Sequence, residues 1–449
     1  MANWPRIVPA WLCFFICCRM AERGAPACTV AIPLPTMHLR CLALVLLSCA
    51  LHPLRGADPQ PLTPSRLGAL RKSGLPAGVE SVTLPFKSTV FGAFTVEVKI
   101  DEKPVQLVVD TGASCTVLSP ESARKLGLQL TEDGDTATTA SGGQVASRRA
   151  LTRRISLGDA WTENEPVFVT DMIPGIDGLL GVATLADWDV RIDPSTKKLT
   201  LFPAGKAPPL EGETVLPLTC QLVNPKASTS NPQGFRNMNL RVPVRVGPHE
   251  LLATPDTGHG TLFQLPSVLM EKVAPEAMKN AQPGLATSIT LSGTTLSRET
   301  KLPEVTFGPD TLRGVNTDVI NAPPGSSAER KGLIGLNLLR HYVMTFRFAA
   351  RELRLKPLGT VQDLTRISTA GIHFDTENKI LSVVPDGPAD KAGLRVGDEV
   401  LEIEGHPLKT MTREEFAAIK RLPPGSAVKV RYRRGDLSPE ETTLVLVKE

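Results

Sequence analysis

Two short stretches of this chain repeat in the same order, and that duplication limits what it can fold into. Val108-Val109-Asp110-Thr111-Gly112 is followed by Leu179-Leu180-Gly181, and Thr254-Pro255-Asp256-Thr257-Gly258 by Leu333-Ile334-Gly335. Asp110 and Gly181 are 71 positions apart, Asp256 and Gly335 79. A carboxylate at the end of a buried strand is expensive unless it is hydrogen-bonded or its charge is tuned, so each Asp marks a candidate site. One Asp-Thr-Gly alone is adequately explained as a loop cap. Two of them, each with its trailing apolar-apolar-Gly, imply an internal repeat of about 150 residues.

Both copies read as β structure. Phe94-Thr95-Val96-Glu97-Val98-Lys99-Ile100 alternates apolar and polar, turns at Asp101-Glu102-Lys103 and returns as Val105 to Val109. Ser119 to Leu128 suits a short helix, Ala140 to Gly143 a Gly-tipped hairpin, and Pro166 to Val169 a strand. Strands at Val190–Asp193 and Lys198–Pro203 close the unit around Pro194-Ser195, and Ala204 to Glu213 reads as a linker. The second copy alternates over Leu240–Val246, turns at Gly247-Pro248 and returns through Leu251-Leu252 to Asp256. A segment around Ser292-Gly293, a helical Leu336 to His341, and strands at Met344–Phe348 and Glu352–Leu355 follow.

At 449 residues the chain should hold about three domains. With 50 Lys+Arg against 46 Asp+Glu, the net charge of +4 is too slight to imply nucleic acid. Gly (36) and Pro (39) are plentiful and aromatics only 4%, which favours short strands and turns over long helices. Cys13, Cys17, Cys18, Cys28, Cys41 and Cys49 all precede residue 50; beyond them stand only Cys115 and Cys220, neither a disulfide framework nor a zinc pattern. Cys115 reads as a small buried thiol. Residues 1–57 read as a leader, with Met37 the expected true start: Met37-His38-Leu39-Arg40 and the apolar Cys41–Leu51 form a secretory signal too short to span a bilayer. Leu46-Leu47-Ser48-Cys49 is similar to a bacterial lipoprotein box with an imperfect second position, so a lipid anchor at Cys49 is the alternative to soluble export. Either way the mature chain is expected to be extracytoplasmic, periplasmic or secreted, without a membrane span.

Over residues 80–358, each copy resembles a retropepsin-like aspartic protease domain, on the strength of the Asp-Thr-Gly loop, the Gly-tipped hairpin and the apolar-apolar-Gly segment. The closing segments Leu179–Pro203 and Leu333–Pro357 match bacterial members of that family especially well. The resemblance implies a mainly β unit of two tandem lobes, 80–203 and 214–358, related by a pseudo-two-fold as in pepsin-like enzymes. It implies Asp110 and Asp256 as the catalytic dyad, acting without cofactor or metal on polypeptide substrates. Thr111, Gly112, Thr257 and Gly258 would support the catalytic loops, with Leu180, Gly181, Ile334 and Gly335 packed beneath them. Ser141, Gly142 and Gly143 would form the flap, or only a surface hairpin. Arg148, Arg149, Arg153 and Arg154 just beyond read as a solvated face rather than a selector for acidic substrates.

Residues 366–449 repeat nothing before them. Gly371-Ile372-His373-Phe374, a strand at Ile380–Val384, Asp386-Gly387-Pro388-Ala389, and Val396-Gly397-Asp398 strongly resemble a bacterial-type PDZ domain, an α+β fold. Thr412–Leu422, with Phe416 and Ile419 at helical spacing, would be its groove helix. That resemblance implies a partner: a peptide C-terminus captured at Gly371, Ile372, His373 and Phe374 and added as a strand. Val428, Val430 and Tyr432 alternate with Lys429, Arg431 and Arg433, as in a half-buried edge or surface strand.

The second loop departs from the family pattern at Pro255 and His259. Pro255 removes a backbone donor. His259 either sets an imidazole beside the dyad, where as imidazolium it would favour two ionised acids, or points elsewhere. Two functions therefore stand open: an exported aspartic endopeptidase, or a catalytically degenerate scaffold acting through its PDZ domain. Ser141-Gly142-Gly143 does not support a serine protease, because no His lies between His52 and His249.

Overall fold

The computed structural model describes residues 71–88, 92–132, 134–139, 143–172, 175–223, 237–290, 293–322, 324, 331–359, 361, 368–374 and 377–448. Met37, Cys49 and the rest of the expected leader lie outside the described residues, as do Ser141 and Gly142 of the expected flap, and Ser292.

Alternating patterning builds the first lobe. Phe94, Val96, Val98 and Ile100 are buried on one face of strand Phe94–Ile100, and the chain reverses through Asp101 and Glu102, both at positive φ (50° and 68°). Two consecutive positive-φ residues make the tight turn whose twist suits a hairpin. The returning strand, Lys103–Val109, pairs with the first from Ile100↔Lys103 to Thr95↔Val108. It then runs parallel to Gly178–Leu180, which Val117–Leu118 flanks antiparallel on its other side. The second lobe repeats this clasp: His249–Asp256 runs parallel to Gly332–Gly335, with Asp256 opposite Gly335, and Phe263–Pro266 pairs antiparallel to the same strand. Each Asp-Thr-Gly thus follows a central strand that runs parallel beside the strand carrying apolar-apolar-Gly.

Six strands side by side tie the lobes together, in the order Thr214–Pro217, Glu352–Pro357, Tyr342–Arg347, Trp188–Asp193, Lys198–Pro203, Val82–Ser88. The join is antiparallel, from Asp189↔Arg347 to Ile192↔Met344. Ile192, Leu199, Leu201, Met344, Phe346, Leu353 and Leu355 are completely buried beneath it. Each such side chain contributes about 1.5–3 kcal/mol of burial, so this sheet is the main apolar anchor between the repeats. The 204–213 segment is more than a connector: the Ala207 N–H donates to Asp189 Oδ2 (3.0 Å), which also accepts from Arg347 Nε (3.2 Å).

The C-terminal domain has its own core, including Phe374, Ile380, Leu394, Val400, Val430 and Tyr432. Ala427–Arg433 buries every second residue as expected, but it is not an edge strand: it lies between Glu399–Ile403 and Glu440–Val445. Helix Arg413–Lys420 begins with a capping box, in which Thr412 Oγ1 accepts from Glu415 N–H (3.2 Å) and Glu415 Oε2 accepts from Thr412 N–H (2.6 Å). Among the described residues no helix is long and apolar enough to cross a membrane.

Asp189 is wholly buried and Arg347 half-buried. Removing one partner of such a pair strands the other's charge, a loss of about 3–5 kcal/mol. Arg347→Ala should therefore lower the urea midpoint by a corresponding amount; an unchanged midpoint would show that strand pairing alone joins the lobes.

Candidate active site

Asp110 and Asp256 come from different lobes and face one another. A Cβ placed on Gly112 would sit 2.2 Å from the Asp256 carboxyl, and one on Gly258 2.4 Å from that of Asp110. Each loop can approach the other's acid only because these positions carry no side chain. Asp110 Oδ1 accepts from the N–H of Gly112 (2.8 Å) and Ala113 (2.9 Å), and Asp256 Oδ1 from Gly258 (2.9 Å) and His259 (3.1 Å). Each acid thus keeps one oxygen fixed by its own loop and turns the carboxyl toward the other acid.

Beneath the acids the loops interlock through their threonines. Thr111 N–H donates to Thr257 Oγ1 and Thr257 N–H to Thr111 Oγ1, each at 3.1 Å. Each hydroxyl in turn donates to a carbonyl of the opposite strand at 2.6 Å, Thr111 to Pro255 and Thr257 to Val109. Only a residue with a hydroxyl can accept and donate here at once. Pro255 lacks an N–H, but the group the interlock uses is its carbonyl, which is intact. Leu180 O accepts from Asp110 N–H (3.1 Å), while Ile334 is completely buried opposite Pro255. Gly181 and Gly335 press against the carbonyls of Cys115 and Thr261, where added Cβ atoms would lie 2.1 and 2.2 Å away.

Burial, followed by the charge of Asp256, pushes Asp110 up to about 8, although the Gly112 and Ala113 N–H groups pull the other way. Burial likewise raises Asp256, opposed by Gly258 N–H and by the charge of Lys331. The pair therefore retains a proton where an ordinary carboxyl would have lost it, and titrates as one unit. Burial lowers the pKa of His259 and so disfavours an imidazolium, although the charges of Asp318 and Asp110 pull the other way. Its Nδ1 accepts from Thr261 N–H (3.3 Å), a bond that favours the ring form with Nδ1 unprotonated. Burial pushes the Cys115 thiol up to about 12, so it stays protonated.

The hairpin around Gly143 pairs Asp135–Thr138 with Gln144–Leu157, and Gly143 O accepts from Thr139 N–H (2.8 Å). Arg153 is exposed and pairs with Asp101, and Arg154 lies over the Trp161 ring (4.9 Å), as suits a solvated face. In the C-terminal domain Gly371 has a positive φ (69°), Ile372 and Phe374 lie on strand Ile372–Phe374, and Phe416 and Ile419 pack against the core from the helix. His373 shares that strand, paired with Ser382. These residues stand far in sequence from the dyad and form a separate candidate site. Sequence reasoning missed Lys331 near Asp256, and a buried polar chain under Gly181 that runs through Thr116, Thr184 and Glu165 to Arg71. Glu165 carried the one available signal, an acid directly before the apolar run of a strand. Among the described residues no three His, Cys, Asp or Glu side chains are grouped to hold a metal ion.

Residues 96–184 match the family model for aspartyl proteases, and residues 379–434 that for PDZ domains. A putative zinc metalloprotease of Clostridium perfringens is 40% identical over 60 residues, which is 13% of this chain and 17% of that protein. The chain thus spans about a sixth of that relative's length. Among solved structures, the aspartic proteinase from Irpex lacteus is 16% identical, with 62% of this chain and 97% of that one covered at a TM-score of 0.40. Basic 7S globulin from soybean is 11% identical, with 62% and 96% covered at a TM-score of 0.36.

The sign of the dyad's pH dependence follows from its raised pKa. Its contribution to stability is fully present below the unfolded carboxyl value of about 3.9 and is lost as pH rises through the folded value near 8. Asp110→Asn cannot titrate there, so its stability relative to wild type should improve by on the order of a few kcal/mol between about pH 4 and pH 8. Melting curves of the two proteins that stay parallel across that range would contradict a shared proton.

Proposed function

We infer that this chain, an aspartyl protease domain at residues 96–184 followed by a PDZ domain at 379–434, is an aspartic endopeptidase whose dyad is Asp110 and Asp256. The observation that carries this reading is the reciprocal approach of the two acids above interlocked Thr111 and Thr257. With one proton between them, the charged carboxyl removes a proton from a water as its oxygen attacks the peptide carbonyl carbon. The neutral carboxyl donates a hydrogen bond, then its proton, to the carbonyl oxygen. The resulting gem-diol collapses when the carboxyl that took the water proton passes it to the amide nitrogen, the other carboxylate takes back a hydroxyl proton and the C–N bond breaks, yielding an acid and an amine with one proton again on the pair. Thr111 and Thr257 hold the acids in place, Gly112 and Gly258 give them room, and Leu180-Gly181 and Ile334-Gly335 support them from below. Such acid–base assistance supplies about 10²–10⁴-fold per group. The neutral ring of His259 leaves the shared proton undisturbed, which favours a competent second lobe over the degenerate scaffold.

The PDZ domain would capture peptides ahead of cleavage or regulate access to the cleft. Among the described residues, strand Ile372–Phe374 pairs within its sheet only with Ile380–Val383, and a C-terminal peptide would add along its other side. The basic and apolar pattern of Met37–Leu51 supports an extracytoplasmic site of action.

Cleavage of unfolded casein across a pH series tests the assignment. Wild type should cut best on the acid side, and Asp110→Asn and Asp256→Asn should each lose at least about 10²-fold. Inactive wild type would favour the scaffold, and loss confined to Asp110→Asn would point to lobe pairing between two chains.

A further inference from the structure

Among the described residues, the polar chain beneath Gly181 has no equivalent in the second lobe. Gly181 N–H donates to Thr116 Oγ1 (3.2 Å), which lies 2.6 Å from Thr184 Oγ1, and Thr184 donates to Glu165 Oε1 (3.0 Å). Glu165 Oε2 takes the Nε–H of Arg71, whose Nη1 pairs with Asp187 and whose Nη2 donates to Ala183 O (3.1 Å). The donors running from Gly181 through Thr116 and Thr184, and the Nε–H of Arg71 from the other side, all point toward the Glu165 carboxylate. Thr116 and Thr184 are completely buried, and Glu165 is 2% exposed. Arg71 does not belong to the lobe's meander. It precedes the short strand Lys72–Gly74, which lies antiparallel on Trp161–Glu163 as a strap.

The two-fold repeat provides an internal control. Counting from each Asp-Thr-Gly and each closing Gly, Leu262 occupies the position of Thr116 and Leu338 that of Thr184. Both leucines are buried. At the matching place in the second lobe the Gly335 N–H donates to the backbone carbonyl of Leu262 (3.2 Å), and the two leucine side chains pack there without the desolvation penalty of a buried carboxylate. The ionic chain is not needed to build such a loop, and its retention in one lobe calls for another role. Its upper end is well placed for one. Leu180 O accepts from Asp110 N–H, and Val182 N–H donates to Ala113 O (2.9 Å), so the 180–182 segment grips the Asp110 loop at both ends.

We propose that Arg71 is a positioning residue for the Asp110 loop, supplying from the N-terminal strap the counter-charge that keeps Glu165, Thr184 and Thr116 aligned under Gly181. A strap held by three residue pairs can be lifted without unfolding the lobe, so its attachment sets whether the first acid is in register with the second. The effect on activity rests on the dyad reading; the mechanical coupling does not.

The full-length chain, as wild type, Arg71→Ala, Arg71→Lys and Arg71→Ala/Glu165→Gln, is compared by hydrogen–deuterium exchange and by casein cleavage. Arg71→Ala should exchange about tenfold faster over residues 110–118 and 180–186, with 256–264 and 334–340 unchanged. Its kcat should fall about 10–100-fold while KM changes little. Arg71→Lys, which keeps the charge but not the forked donors, should show a smaller and still lobe-restricted change. The double variant should recover, because Gln retains the acceptor for Thr184 without a charge to balance. Equal acceleration in both lobes, no acceleration in either, or no recovery in the double variant would overturn the proposal. A wild type that cleaves nothing would defeat the peptidase reading, and the exchange pattern would still decide the coupling.

Discussion

The site depends on the reciprocal crossing of Thr111 and Thr257. Each threonine accepts from the other's backbone N–H and donates to the carbonyl of the strand feeding the other's acid. The four contacts are buried and interdependent, so neither loop reaches its final shape without its counterpart. Two acids of like charge would separate if left to themselves; the threonines, anchored in opposite lobes, prevent it. The raised pKa of the pair follows: held together away from water, the carboxyls keep a proton because ionising both is too costly.

The interlobe sheet supplies the rigidity behind that crossing. Trp188–Asp193 pairs with Tyr342–Arg347 over a completely buried apolar layer, and Asp189, Arg347 and Ala207 add a polar clasp at its edge. Support beneath the two loops is unequal. The second rests on Leu262 and Leu338, the first on Thr116, Thr184, Glu165 and a residue borrowed from the N-terminal strap. A duplicated fold has thus kept its symmetric centre while its foundations diverged.

Much of the fold was legible because the repeat carries its own markers. Strict alternation in Phe94–Ile100 marked the inward face, and Asp-Thr-Gly with its trailing apolar-apolar-Gly marked the two matching loops, whose strands run parallel to those trailing segments. Local pattern could not reveal register between distant strands. It gave no hint that Val82–Ser88 borders the interlobe sheet, or that Ala427–Arg433 lies inside its own sheet rather than at an edge. Alternation reports which faces are buried and is silent about how many neighbours a strand has. His259 shows the same limit at the site: sequence set an imidazole beside an acid, but gave no sign of the burial that lowers its pKa or of the Thr261 N–H on Nδ1. Arg71 and Glu165, 94 positions apart, share no motif at all.

Carbon-13 NMR of the aspartate carboxyl carbons, titrated in the wild type and assigned with the two Asn variants, tests the central claim most directly. The account predicts that one carboxyl of the Asp110–Asp256 pair stays protonated far above the ordinary carboxylate range, toward pH 8, and that its transition moves when the other acid is replaced. Two independent transitions near the unperturbed value of about 3.9, each indifferent to the other's removal, would contradict it.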